Sequence, residues 1–120
     1  MANNIAFQSS GMTYKANATT TSQTMQITSV SPTNQYLLAS HQPTGTGGYP
    51  VYVNISTSAK VTVSAPGNGT PSNCFIIVPG MNRVVTSVQC SPTQPVYVAY
   101  ITDSGVSGLV ESYITPGEGI

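Results

Sequence analysis

The sequence predicts an all-β domain, an antiparallel β-sandwich of eight or nine short strands. Three observations carry that prediction. Turn-forming clusters recur at short, even intervals: Ser31 to Asn34, Pro43 to Gly48, Pro66 to Gly69, Pro79 to Asn82, Ser91-Pro92 and Asp103 to Gly105. The runs between them alternate apolar and polar residues or are rich in β-branched ones, as half-buried strands are. No stretch of ten residues keeps a helical apolar period without Pro, Gly or a Ser/Thr cluster breaking it, so helix is excluded throughout.

In chain order the expected strands are Met12 to Ala18, Thr24 to Val30, Tyr36 to Ser40, Val51 to Ile55, Lys60 to Ser64, Cys74 to Val78, Arg83 to Gln89, Val96 to Ile101 and Leu109 to Thr115. Their number and spacing suit a sandwich or a barrel. Val51, Val53 and Ile55 share one face, as do Val61 and Val63, while Tyr97 and Tyr100 fall on opposite faces. Pro79-Gly80 supplies the fixed and the positive φ of a tight reversal, so Cys74 to Val78 and Val84-Val85 are expected to form a central, well-buried hairpin. Ile27 to Thr33 echoes Val85 to Thr93: each reads as strand, Ser-Pro-Thr turn, strand, the pattern of two similar halves.

The chain is expected to be one domain over residues 1–120, long enough to bury about two-thirds of its unfolded surface without a metal or disulfide. Residues 1–10 look like an extended N-terminal arm and residues 116–120 like a short C-terminal tail. Charge is scarce. Lys15, Lys60, Arg83, Asp103, Glu111 and Glu118 make up 5% of the sequence, against about 25% in an ordinary soluble domain. Such a surface lacks the usual guard against edge-to-edge sheet pairing and suits one either covered by a partner or kept apart by its turns. Three basic residues at zero net charge cannot neutralise a nucleic-acid backbone. No apolar run reaches the roughly 20 residues that span a bilayer. Met1 to Ile5 has neither the charged nor the apolar region of a secretory signal, so a reducing compartment is expected.

No constellation points to catalysis. His41 stands alone in a loop, and one His with two Cys is too few for a closed zinc site within one chain. Asp103, Glu111 and Glu118 give no converging calcium loop, and Gly45 to Gly48 matches no phosphate-binding motif. Counted back from a two-residue turn at Gly80-Met81, Cys74 faces Ser87. Cys90 then lies three residues, about 10 Å, further along the strand, which predicts two free thiols. The sequons at Asn17, Asn54 and Asn68 are near the chance expectation. The chain is therefore expected to be no enzyme and to hold no cofactor and no metal.

The opening Met1 to Phe7, the Ser31 to Tyr36 segment, the strand Pro95 to Ala99 and the ending Tyr113 to Ile120 together resemble small virion proteins of tailed bacteriophages, the cement or decoration proteins of capsid shells. The resemblance is of sequence style along most of the chain. It implies a jelly-roll-like sandwich, a homo-oligomer (dimer or trimer), binding to the major capsid protein on the outside of the virion, and no catalytic residues. Tyr49 and Tyr52 supply rigid area with a polar tip suited to an interface. Ile5, Phe7, Ile114 and Ile120 are expected to add apolar area from the two ends, which could add strands to a neighbour's sheet. A tail or fibre module recognising host glycans is the alternative, which would group aromatic side chains on one exposed face.

Overall fold

A computed structural model describes residues 7–42 and 48–119. Among them lie the strands β1 (Gln8–Ser9), β2 (Tyr14–Ala18), β3 (Gln23–Ile27), β4 (Thr33–Ala39), β5 (Val51–Ser56), β6 (Phe75–Ile77), β7 (Asn82–Cys90), β8 (Val96–Thr102) and β9 (Val110–Glu118), all paired antiparallel. One sheet runs β2-β9-β4-β7, with β1 extending the β2 edge along β9; the other runs β3-β8-β5-β6. From β2 onward every link crosses between the sheets except β5 to β6. That is the strand order of a jelly roll, two interlocked Greek keys.

Period-two alternation builds the core. Val51, Val53 and Ile55 of β5 and Val96 and Val98 of β8 face Tyr36 and Leu38 of β4, Val85 of β7 and Ile114 of β9, all of them buried. Tyr36 is wholly enclosed, and its hydroxyl donates to Val88 O at 2.6 Å. Without that bond the burial of a phenol would be costly.

The expected hairpin is corrected. Val78 to Met81 is a tight turn, with Met81 N–H donating to Val78 O at 3.0 Å and Gly80 at φ 78°. It hands the chain from one sheet to the other: β6 pairs with β5, and β7 pairs with β4. Both strands are edges, not a central pair. The run Phe75-Ile76-Ile77 is apolar on both sides, yet Ile76 is 44% exposed.

Lys60 to Ser64 forms no strand either. It crosses the outer side of the four-stranded sheet as a strap, with Val61 and Val63 packed on Tyr52 and Ala99. Side chains, not a ladder, satisfy its backbone: Thr24 Oγ1 donates to Val61 O, Asn54 Nδ2 to Thr62 O, and Val63 N–H to Ser22 Oγ.

The internal echo has a structural counterpart. Ile27 to Thr33 and Val85 to Thr93 each turn the chain from one sheet to the other, and the ends of β3 and β7 meet, Cys90 Sγ lying 3.5 Å from Ile27 O. Cys74 and Cys90 are both free thiols.

The ends belong to the sandwich more than expected. Gln8–Ser9 of the anticipated arm pair with Glu118 and Gly117, and β9 runs to Glu118 through most of the anticipated tail. Between β1 and β2 the register along β9 slips by two residues, a bulge where Gly11 takes φ 137°.

Candidate interaction surface

The two outer faces of the sandwich differ. That of the four-stranded sheet carries Tyr52, Tyr97, Ala99 and Ile101, and the strap residues Val61, Val63 and Ala65 pack on them. No described segment covers the outer face of the five-stranded sheet. Its cross-strand pairs Leu37–Val84, Leu37–Thr115, Ala39–Tyr113 and Lys15–Tyr113 place an apolar and aromatic row across β2, β9, β4 and β7. Leu37, Val84 and Tyr113 are half-buried there.

Phe7 continues this row at one end. Its ring lies over Gly117, where a Cβ would collide with the ring and with the Gln8 carbonyl. At the other end His41 packs edge-on against Tyr113, ring centroids 5.2 Å apart. His41, Gln42, Leu109 and Glu111 line an open depression of about 310 Å³, and Leu109 is 63% exposed. Gln42 clasps its rim, its amide donating to Tyr49 O and Glu111 O and its carbonyl accepting from Tyr49 N–H.

One ion pair sits on this face, Lys15 Nζ to Glu111 Oε2 at 3.1 Å. The hydrogen bond to Glu111, then its charge, raises the Lys15 ammonium above its usual value. Both side chains are about half exposed, so the pair adds little to stability. Asn17, cross-strand neighbour of Glu111, has a buried Oδ1 with no partner among the described residues.

The residues expected at an interface divide. Phe7 and the 44%-exposed Tyr49 are on the surface or its margin. Tyr52 and Ile114 are corrections: both are buried within the chain. Tyr52 lies under the strap and donates to Asp103 Oδ1 at 2.9 Å, its hydroxyl pushed up to about 12 by burial and then by that bond. Ile114 faces inward on β9, opposite Tyr14 and Leu38. Ile5, Ile120 and the loop Pro43 to Gly47 lie outside the described residues.

The sequence held a signal for the residues that were missed. A strand of a two-layer sandwich has one inner face, so each consecutive apolar pair must turn one member outward. Tyr36-Leu37-Leu38 and Val84-Val85 are such runs, and Leu37 and Val84 are the outward members. Met12 and Val30, 78% and 74% exposed, project near the corner where Val30 N–H donates to Ser10 O.

Among the described residues no three His, Cys, Asp or Glu side chains gather to hold a metal, and no helix is long and apolar enough to cross a membrane. Comparison with protein-family models, curated proteins and solved structures gave no match.

Proposed function

We propose that this chain is a non-enzymatic decoration subunit of a virus particle, which binds the outside of an assembled capsid and ties neighbouring major capsid subunits together. The observation that carries the proposal is the asymmetry of the two outer faces. One is covered by the chain's own strap; the other is a bare sheet face crossed by an apolar row, and its one cation and one anion, Lys15 and Glu111, pair with each other. Burying such a face strands few unpaired charges, the main cost of a large interface. A subunit that binds only the assembled shell stabilises it by mass action.

The test is co-sedimentation with undecorated shells assembled from the capsid protein encoded nearest this gene. The wild-type chain pellets with the shells, and Leu37→Asp, which puts a charge mid-face, stays in the supernatant with its β spectrum unchanged. Failure of the wild-type chain to pellet refutes the proposal.

A second reading, a tail or fibre module binding host glycans, is favoured by the His41–Tyr113 ring pair beside the Gln42–Glu111 depression. Stacking rings flanked by amide and carboxylate groups suit a sugar. His41→Ala separates the two readings: it abolishes retention on host polysaccharide if the depression is a glycan site and leaves shell binding intact if the sheet face is the contact.

A further inference from the structure

We infer that β7 is a self-pairing edge, through which two copies join antiparallel about a two-fold axis at Val84 into one continuous sheet. The inference goes beyond the decoration proposal and does not depend on what covers the outer face.

Backbone geometry identifies the free groups. Ser40 N–H donates to Met81 O at 2.9 Å, in the same register that pairs Leu38 with Arg83 and Tyr36 with Val85. Hydrogen-bonded pairs alternate along an antiparallel ladder. Arg83 and Val85 therefore address β4, and the N–H and C=O groups of Asn82, Val84 and Thr86 point away from the sheet. No described strand lies beyond β7 in that sheet. The free stretch ends naturally, because Val88 O accepts the Tyr36 hydroxyl and the ladder to β4 shifts register opposite the end of β7.

A dyad at Val84 uses all of these groups. Val84 meets its own copy, Asn82 meets Thr86, and each pair exchanges two hydrogen bonds. The same register sets Arg83 opposite Val85, so the cation does not meet itself. It also sets Val88, 37% exposed, opposite the second copy's Val78–Met81 turn, where Val78 is 47% exposed. Isologous pairing of this kind closes at two copies.

The devices that protect edges are fewest here, where a single cation, Arg83, remains. β1 and β2 are broken by the two-residue bulge, and β2 carries Lys15. β3 is tied to the strap through Thr24. β6 is three residues long, between Pro71 and Pro79. β7 has nine residues and no Pro, and its one charge, Arg83, meets Val85 and not itself in this register, so the edge is of the kind that recruits a strand.

Sedimentation velocity of the full chain at about 1–100 µM, the range of modest interfaces, is the test. Proline is tolerated on an edge strand where its missing N–H faces outward, so Val84→Pro keeps the fold and weakens the dimer at least about tenfold. Val84→Lys sets two cations on the dyad with the same outcome, and decides the matter should the proline variant unfold. Hydrogen exchange of Asn82, Val84 and Thr86 slows as concentration rises. A chain that stays monomeric, forms a trimer, or keeps its dimer in every folded variant overturns the inference.

Discussion

Gly117→Ala is the sharpest test of how the candidate surface is built. Its backbone does not need glycine for conformational reasons, since φ is not positive there. The objection to a side chain is spatial: a Cβ at 117 would strike the Phe7 ring and the Gln8 carbonyl oxygen. A ring can swing aside, but a carbonyl moves only with its strand, so β1 must lift from β9. At stake are the Gln8–Glu118 and Ser9–Gly117 pairings and the 2.8 Å bond from Ser10 N–H to Pro116 O. Half-burial of Phe7 is worth about 1 kcal/mol, and the backbone bonds about 1 kcal/mol each, net. Partial relaxation brings the expected loss to about 1–3 kcal/mol, the usual range for overpacking. For a domain of this size that lowers Tm by roughly 4–12 °C. Phe7→Ala alone should cost about 1 kcal/mol, and the double variant less than the sum of the two, because one of the two collisions has been removed. Thermal melts by circular dichroism give the energies, and hydrogen exchange at Gln8 to Ser10 gives the location. A Gly117→Ala melt within about 1 °C of wild type, with those amides still protected, would show that Phe7 is not seated as described.

Two further predictions concern the interior. Burial, then the neighbouring Cys90, raises the Tyr36 hydroxyl well above its ordinary value of 10.0. The folded chain keeps that proton after the unfolded chain has released it. Stability is therefore complete below about pH 10 and falls by about 1.4 kcal/mol per pH unit above it, with Tyr52 adding to the decline up to about 12. Tyr36→Phe should be about 1–2 kcal/mol less stable at neutral pH, having orphaned Val88 O, but should lose stability less steeply in alkali. Equal alkaline slopes in urea titrations would contradict this. Cys74 is half-buried and Cys90 wholly enclosed, so a thiol reagent should modify one cysteine quickly and the second at the rate of unfolding; two equally fast thiols would refute the placement of Cys90.

The sandwich itself was legible in the sequence because period-two patterning and turn chemistry are local, and eight of the nine expected strands, all but Lys60 to Ser64, fall where the pattern puts them. What the pattern could not supply is which sheet a strand joins. Pro79-Gly80 specifies a tight reversal equally well whether the flanking strands pair or part, and nothing local to the turn decides between them. Val61 and Val63 show the same limit. Their alternation correctly predicts a shared buried face, but period two does not require a ladder, and here side chains of Ser22, Thr24 and Asn54 take its place. The candidate surface was hidden for a related reason. Size and position point to the tyrosines and the two ends as the exposed apolar residues, while Val84 beside Val85 reads as part of a buried hairpin.

The scarcity of charge takes on a more specific meaning beside the topology. Lys15 and Glu111 neutralise each other, and Asp103 is engaged by Tyr52. A chain with so few charges cannot protect every sheet edge with them and must use other devices as well. At three of its four edges it does: a bulged and broken strand, a tied strap, and a strand too short to template another. Composition therefore does not explain the fourth, since the same composition guards the others. At β7 the outward groups of Asn82, Val84 and Thr86 remain free and self-complementary, and Val84 also ends the apolar row of the bare face. Pairing there would join two such rows across one dyad, so that a second copy doubles the face available to a shell, each copy keeping its Lys15–Glu111 pair and setting its Arg83 opposite a Val85 and not opposite the other Arg83.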